Sequence, residues 1–164
     1  ADPAFARFVK DLWAQEIIPV LHPPEGTSLP DYAAALLDRY ANPAIRHRTW
    51  QIAMDGSQKL PQRILGTLAA NLAASRPSGG LMLAVAAWMI YVRGTDLAGQ
   101  PIEVKDPLST PLRAAATSAN PVSALLALRE VFSAELAARL EPGLTLAYSS
   151  LITKGAKGAI EALS

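Results

Sequence analysis

The chain has 164 residues, of which 51% are hydrophobic and 18% charged, and its formal net charge is +1. This length suffices for one domain with a substantial core, and the near-neutral charge gives no indication of binding to nucleic acid or an acidic membrane. The absence of cysteine excludes disulfides and thiolate metal sites, and two histidines are too few for a histidine-rich metal centre. We therefore expect no bound metal, and the lack of cysteine also fits a cytoplasmic protein. The N-terminus lacks the pattern of a signal peptide.

The first predicted element is an amphipathic helix. Asp2 followed by Pro3 is typical of a helix cap and a first helical residue, and Pro19 is expected to end the helix. One face of this helix should be buried, and it comprises Phe5, Phe8, Val9, Leu12 and Trp13. A connection rich in turn-forming residues then leads to a second helix, predicted over residues 29–42.

Residues 42–63 form the most polar stretch of a sequence otherwise rich in Ala and Leu. Asn42 and Pro43 predict a capped helix that reaches Met54. Gly56 is expected to adopt the left-handed conformation that ends this helix, and Ser57 is expected to cap the next one. The side chains that could carry chemistry here are Arg46, His47, Arg48, Gln51, Asp55, Gln58, Lys59 and Arg63.

The spacing of these polar residues indicates a binding surface. Arg48, Gln51 and Asp55 share one helical face because they are three and four positions apart. Lys59 and Arg63 follow near the start of the next helix, and a helix N-terminus with nearby cations favours an anion or a polyhydroxylated ligand. A solvated helix face is the alternative that spacing alone leaves open.

The second half of the chain is predicted to be helical around one apolar centre. The most hydrophobic run, residues 81–92, is shorter than the roughly 20 residues that span a bilayer, so we expect a buried helix. In this helix Trp88 and Tyr91 could bring polar tips to a cleft, although such aromatics are more commonly core residues. Residues 95–106 are predicted to be irregular. Three helical segments should follow, over residues 106–116, 121–140 and 144–152, with breaks at residues 142–143 and 154–158.

The central motif is similar to a known signature. The run R-H-R-T-W-Q-I-A-M-D-G-S-Q-K-L-P-Q-R, residues 46–63, resembles the C-terminal domain of the long-chain mannitol dehydrogenase family. The similarity extends to residues 1–5, 16–19, 32–43, 86–88 and 106–107. It implies an all-α, multi-helix bundle, resembling the helical C-terminal domains of mannitol dehydrogenase-type and 6-phosphogluconate dehydrogenase-type enzymes. Residues 1–164 would form one substrate-side domain.

The resemblance also implies a second domain that binds NAD. The chain contains no G-x-G-x-x-G fingerprint for the dinucleotide phosphates. The family's catalytic motif, a lysine followed five residues later by Asn and three after that by His, would lie upstream of Ala1. We therefore expect an N-terminal domain to bind most of the NAD, no catalytic residue in this chain, and no turnover by the chain alone.

Substrate-binding residues can be carried over only in part. The lysine that closes D-G-S-x-K contacts substrate in mannitol dehydrogenases, and here it is Lys59. The Arg and His that hold polyol hydroxyls eight and five residues earlier are replaced by Gln51 and Met54. This departure favours the hexuronate branch, which includes fructuronate reductase, or mannonate oxidoreductase, and whose substrate carries a carboxylate. The expected substrate-binding residues are Lys59, Arg48, Gln51, Arg46, His47, Asp55 and Arg63.

The function that the resemblance implies is reversible hydride transfer between NAD and a secondary alcohol of an acyclic sugar acid, D-mannonate or D-fructuronate. Two alternatives remain open: a polyol 2-dehydrogenase for mannitol or arabinitol, and a non-catalytic helical binding module. The expected partners are the sugar acid or polyol and the protein's own N-terminal domain, with no nucleic acid and no membrane.

Overall fold

The fold is all-α, as predicted. The computed structural model describes residues 2–42, 44, 49–96 and 98–163, with only the backbone at residues 49 and 50, and these ranges contain no strand. The helices are α1 (Pro3–Leu12), α2 (Leu29–Ala41), α3 (Thr49–Ala53), α4 (Gly56–Leu60), α5 (Gly66–Ala73), α6 (Gly79–Tyr91), α7 (Ser109–Ala116), α8 (Pro121–Leu126) and α9 (Ala134–Glu161). Within the described ranges, no helix has the length and apolarity needed to cross a membrane.

The cap predicted for α1 is confirmed. The Asp2 carboxylate accepts a hydrogen bond of 2.8 Å from the Ala4 amide, and this bond, with a contribution from Lys157, holds the pKa of Asp2 below its usual range. The chain continues beyond α1 as one π-helical turn, Trp13–Ile17, and one 3-10 turn, Ile18–Val20.

The buried face predicted for α1 is wrong in part. Phe5 is 41% exposed, and the other members of the predicted stripe are only half-buried. Two of these members, Phe8 and Leu12, line an open groove of about 610 Å³ beside the start of α6 and the end of α9, so they are covered on one side only. Phe5 does not line this groove.

Helix α6 forms the centre of the core, as predicted from the run at residues 81–92. It packs along α9, and Leu68, Leu125 and Phe132 from other parts of the chain are fully buried in the same cluster. The Trp88 ring lies 6.4 Å from that of Phe132 at an interplanar angle of 58°, a tilted aromatic contact. The buried residues of α6 are Gly80, Leu81, Leu83, Val85, Ala86, Trp88 and Met89.

A buried carboxylate fixes the N-terminus of α6. Glu16 is 7% exposed, and its two oxygens accept hydrogen bonds of 2.7 and 2.8 Å from the amides of Gly80 and Leu81. These amides have no intrahelical partner, and the positive end of the helix dipole favours the charge. Asn71 donates a further bond of 2.7 Å to the Glu16 carbonyl. Glu16 therefore attaches the first helical segment to the core.

We expect Glu16→Gln to lower the free energy of unfolding by about 1.5 kcal/mol, because one α6 amide loses a charged acceptor and faces a side-chain NH₂ group instead. Urea unfolding followed by circular dichroism measures this loss. The matched control is Glu25→Gln, which neutralises an exposed carboxylate in a turn and should change stability by less than about 0.5 kcal/mol. Equal losses in both variants would contradict the assignment.

Two predicted boundaries in the second half are wrong. The helix predicted over residues 121–140 is divided, because α8 ends at Leu126 and α9 begins at Ala134 after the Ser133 cap. No break occurs at residues 142–143. Pro142 lies inside α9, and a Cβ at Gly143 would come within 2.9 Å of Met82 Cε, so this glycine serves the close contact of α9 with α6.

The break predicted at residues 154–158 is confirmed. At Gly155 the backbone leaves the helical region with φ 69° and ψ 174°. The last residues of α9 then pack under the groove beside α1, where Ala159 and Ile160 are buried.

Candidate functional site

The bend between α3 and α4 has a different geometry from the one predicted. Asp55, not Gly56, adopts the left-handed conformation, with φ 56° and ψ 34°, a region that Asp tolerates better than most residues. Gly56 is the first residue of α4, and it is buried. A Cβ at this position would overlap with the Trp88 indole, 2.8 Å from Cδ1. The glycine is therefore required for a close approach to α6.

Ser57 does not cap α4, contrary to the prediction. It acts as a donor: its amide and its hydroxyl donate hydrogen bonds of 2.8 and 2.6 Å to the two oxygens of Asp106. The Asp55 amide donates another bond, of 3.0 Å, to the Lys105 carbonyl. The segment that precedes α7 thus holds the bend. The Asp55 side chain makes no cap bond to α4.

The bend and α6 enclose a cleft of about 410 Å³. Two of the predicted site residues, Lys59 and Arg63, lie on this cleft, and the Lys59 ammonium donates a hydrogen bond of 3.3 Å to the Ile52 carbonyl. The remaining wall is mostly apolar. The lining residues are Ile52, Ala53, Gly56, Lys59, Leu60, Arg63, Ile64, Ala84, Ala87, Trp88 and Tyr91.

The other predicted site residues are placed differently. Gln51 is exposed on α3 and Asp55 is half-buried at the bend, and neither lines the cleft. The remaining three, Arg46, His47 and Arg48, lie outside the described residues, as does most of the helix predicted before Thr49. The structure therefore brings together Lys59 and Arg63.

Trp88 and Tyr91, which the sequence pattern favours as core residues, also line the cleft. The indole nitrogen of Trp88 and the hydroxyl of Tyr91 are buried without a hydrogen-bond partner among the described residues. Burial raises the pKa of Tyr91, and the charges of Asp106 and Glu103 raise it further, so its hydroxyl stays protonated at neutral pH. The sequence contains a pattern that could have indicated this wall of the cleft. Residues 84, 87, 88 and 91 share one helical face, on which two small alanines lie beside two aromatic residues.

This arrangement favours an organic anion. Two cations can pair with a carboxylate, and the fork of Arg63 can do so bidentately. The aromatic and aliphatic wall can pack against the C–H groups of the same molecule. The described residues form no strand and glycine-rich turn of the kind that holds the phosphates of a dinucleotide.

Comparison with known proteins gives consistent matches. Residues 1–151 match the family described as the mannitol dehydrogenase C-terminal domain. The chain is 41% identical to D-mannonate oxidoreductase of Escherichia coli, with 99% of this chain and 34% of that protein aligned. It is 33% identical to mannitol 2-dehydrogenase of Phaeosphaeria nodorum, with 98% and 28% aligned.

A solved structure extends this similarity to the fold. The ternary complex of Pseudomonas fluorescens mannitol 2-dehydrogenase with NAD and D-mannitol superposes with a TM-score of 0.91 at 28% identity, over 99% of this chain and 34% of that one. The chain thus spans about a third of the length of these relatives. With the family match over residues 1–151, these similarities show that the chain belongs to the mannitol dehydrogenase C-terminal domain family.

Proposed function

We propose that the chain is the substrate-side domain of an NAD-dependent oxidoreductase that interconverts D-mannonate and D-fructuronate. The observation that carries this proposal is the convergence of Lys59 and Arg63 on one cleft with an apolar wall. The 41% identity to D-mannonate oxidoreductase supports the choice of substrate. An N-terminal dinucleotide-binding domain would account for the part of the relatives that the chain does not match. The complete enzyme is proposed to act in the cytoplasm.

In this proposal the residues of the chain bind and orient the substrate. Lys59 and Arg63 pair with the carboxylate at one end of the sugar acid, which fixes its direction in the cleft. Arg46, His47, Arg48, Gln51 and Asp55 are proposed to contact the hydroxyls or the carboxylate. Such contacts lower the entropic cost of aligning the reacting carbon. NAD supplies the hydride chemistry, and the base that takes the hydroxyl proton belongs to the N-terminal domain.

A polyol 2-dehydrogenase is the second candidate. The 33% identity to mannitol 2-dehydrogenase and the TM-score of 0.91 with the mannitol complex favour it. Against it, Gln51 and Met54 stand where the mannitol enzymes carry Arg and His. A non-catalytic binding module, the more distant alternative, would lack an attached NAD domain.

The test is turnover by the full-length protein. We expect kcat/KM for D-mannonate with NAD to exceed that for mannitol by at least roughly tenfold, which corresponds to about 1.4 kcal/mol of transition-state stabilisation. The 164-residue chain alone should oxidise neither substrate because it lacks the hydride acceptor site. Reduction of NAD followed by absorbance measures both. A preference for mannitol would favour the polyol enzyme, and inactivity of the full-length protein on both would favour the binding module.

A further inference from the structure

The first turn of α4 is attached to a distant carboxylate. Helix α4, Gly56–Leu60, continues through one π-helical turn, Pro61–Leu65, into α5, so its start is the end that needs an outside partner. The Ser57 amide, in this first turn, has no intrahelical acceptor. Asp106, 49 positions after Ser57 in the chain, accepts hydrogen bonds from both the amide and the hydroxyl of that residue, which is 4% exposed.

The same carboxylate also fixes the segment to which it belongs. The Asp106 oxygen that accepts from the Ser57 hydroxyl also accepts a bond of 2.9 Å from the Leu108 amide, which is the third bond to this carboxylate. The adjacent Lys105 carbonyl accepts from the Asp55 amide. One charged group therefore joins the start of α4 to the start of α7, and charge-assisted bonds of this kind are stronger than neutral ones.

Lys59 lies in the turn that this carboxylate holds. Its amide and that of Gln58 both donate to the Asp55 carbonyl, at 3.0 and 3.1 Å. Its ammonium donates to the Ile52 carbonyl across the bend. A rotation of the first turn of α4 would move the Lys59 ammonium away from that carbonyl and change the direction in which it enters the cleft. The carboxylate of Asp106 resists this rotation because it holds the turn at Ser57.

We propose that Asp106 is a positioning residue for substrate binding. Through its hydrogen bonds to Ser57 it fixes the first turn of α4, and this orients the Lys59 side chain towards the cleft. This inference rests on the proposed function of Lys59. Asp106 does not line the cleft itself, so its effect on the substrate is transmitted by the backbone of α4. The distance in sequence explains why no local motif indicates this role.

The test compares two carboxylates of the same loop. Asp106→Ala removes every bond to Ser57, whereas the control Asp96→Ala removes bonds of 2.9 and 2.8 Å from the amides of Ala98 and Gln100 and none to α4. In the full-length enzyme we expect Asp106→Ala to raise KM for D-mannonate roughly tenfold and to change kcat less than about threefold, the split typical of weakened binding. Asp106→Asn should be intermediate because it keeps one acceptor oxygen.

Hydrogen exchange supplies a readout that does not depend on activity. In the 164-residue chain, Asp106→Ala should accelerate exchange of the Ser57 and Lys59 amides at least roughly tenfold over the wild type, because local opening of α4 becomes easier. Asp96→Ala should leave both amides unchanged. Faster exchange with an unaltered KM would overturn the positioning role, and so would equal effects of the two variants or unaltered exchange. A wild-type enzyme inactive on mannonate would refute the proposed function, while exchange would still decide whether Asp106 holds the turn.

Discussion

Replacing Gly56 by alanine should lower the free energy of unfolding by about 3 kcal/mol, at the upper end of the cost of overpacking a core. The new Cβ would lie 2.8 Å from Trp88 Cδ1 and closer still to the indole nitrogen. Trp88 is only 8% exposed and packs against Phe132, so moving the ring towards the cleft would break this core contact. Either the ring loses that contact or the bend shifts, and both are costly. Urea unfolding measures the loss, and the fluorescence maximum of the folded protein should shift because the surroundings of Trp88 change.

Gly66→Ala is the matched control, with an effect of opposite sign. Gly66 is also helical and follows the π-helical turn Pro61–Leu65, but a Cβ there would meet no atom within 4 Å. Alanine at this position should stabilise the fold by up to about 1 kcal/mol, through helix propensity alone. A loss at Gly66 as large as that at Gly56 would show that the effect is unrelated to the indole.

A double-mutant cycle isolates the contact itself. In a Trp88→Ala background the indole atoms that a Cβ at Gly56 would meet are absent, so Gly56→Ala should cost less than about 1 kcal/mol there. The coupling energy expected from the cycle is about 2 kcal/mol, within the range found for residues in contact. An equal cost in both backgrounds would exclude the steric explanation.

The sequence predicted those features of the fold that depend on local patterns. The Asp2 cap, the buried helix at residues 81–92 and the break near Gly155 each follow from neighbouring residues, and each is confirmed. Pro142 shows the limit of this reasoning, since tertiary packing against α6 overrides a local helix-breaking signal. The exposure of Phe5 has a similar cause, because periodicity identifies an apolar face but not what covers it.

For the site, the sequence predicted the cations but not the contacts that hold them. Lys59 and Arg63 reach one cleft, but the Asp106 bonds to Ser57 join residues 49 positions apart, which no local spacing can reveal. The role of Gly56 was wrongly predicted for the same reason. A turn and a close approach both require glycine, and only the position of Trp88 distinguishes them.

Lys59→Met in the full-length enzyme should lower kcat/KM for D-mannonate about 100-fold, equivalent to about 2.7 kcal/mol of lost transition-state stabilisation. Methionine keeps most of the aliphatic stem, so the apolar wall of the cleft is preserved while the charge is removed. A substrate without a carboxylate depends less on that charge, and kcat/KM for mannitol should therefore fall less than about tenfold. Initial rates of NAD reduction at subsaturating substrate measure both values.

Two further variants establish which cation pairs with the carboxylate. Lys10→Met removes an exposed lysine of α1 that does not line the cleft, and it should leave both rates within about twofold, as is usual for surface changes away from a site. Arg63→Met removes the second cation of the cleft. A larger loss on mannonate for Arg63→Met than for Lys59→Met would make the guanidinium the main partner, since its fork can bind both carboxylate oxygens. If Lys59→Met and Arg63→Met both lowered the mannitol rate as much as the mannonate rate, the cleft would bind hydroxyls rather than a carboxylate, and the polyol dehydrogenase would replace the sugar-acid enzyme as the proposed function.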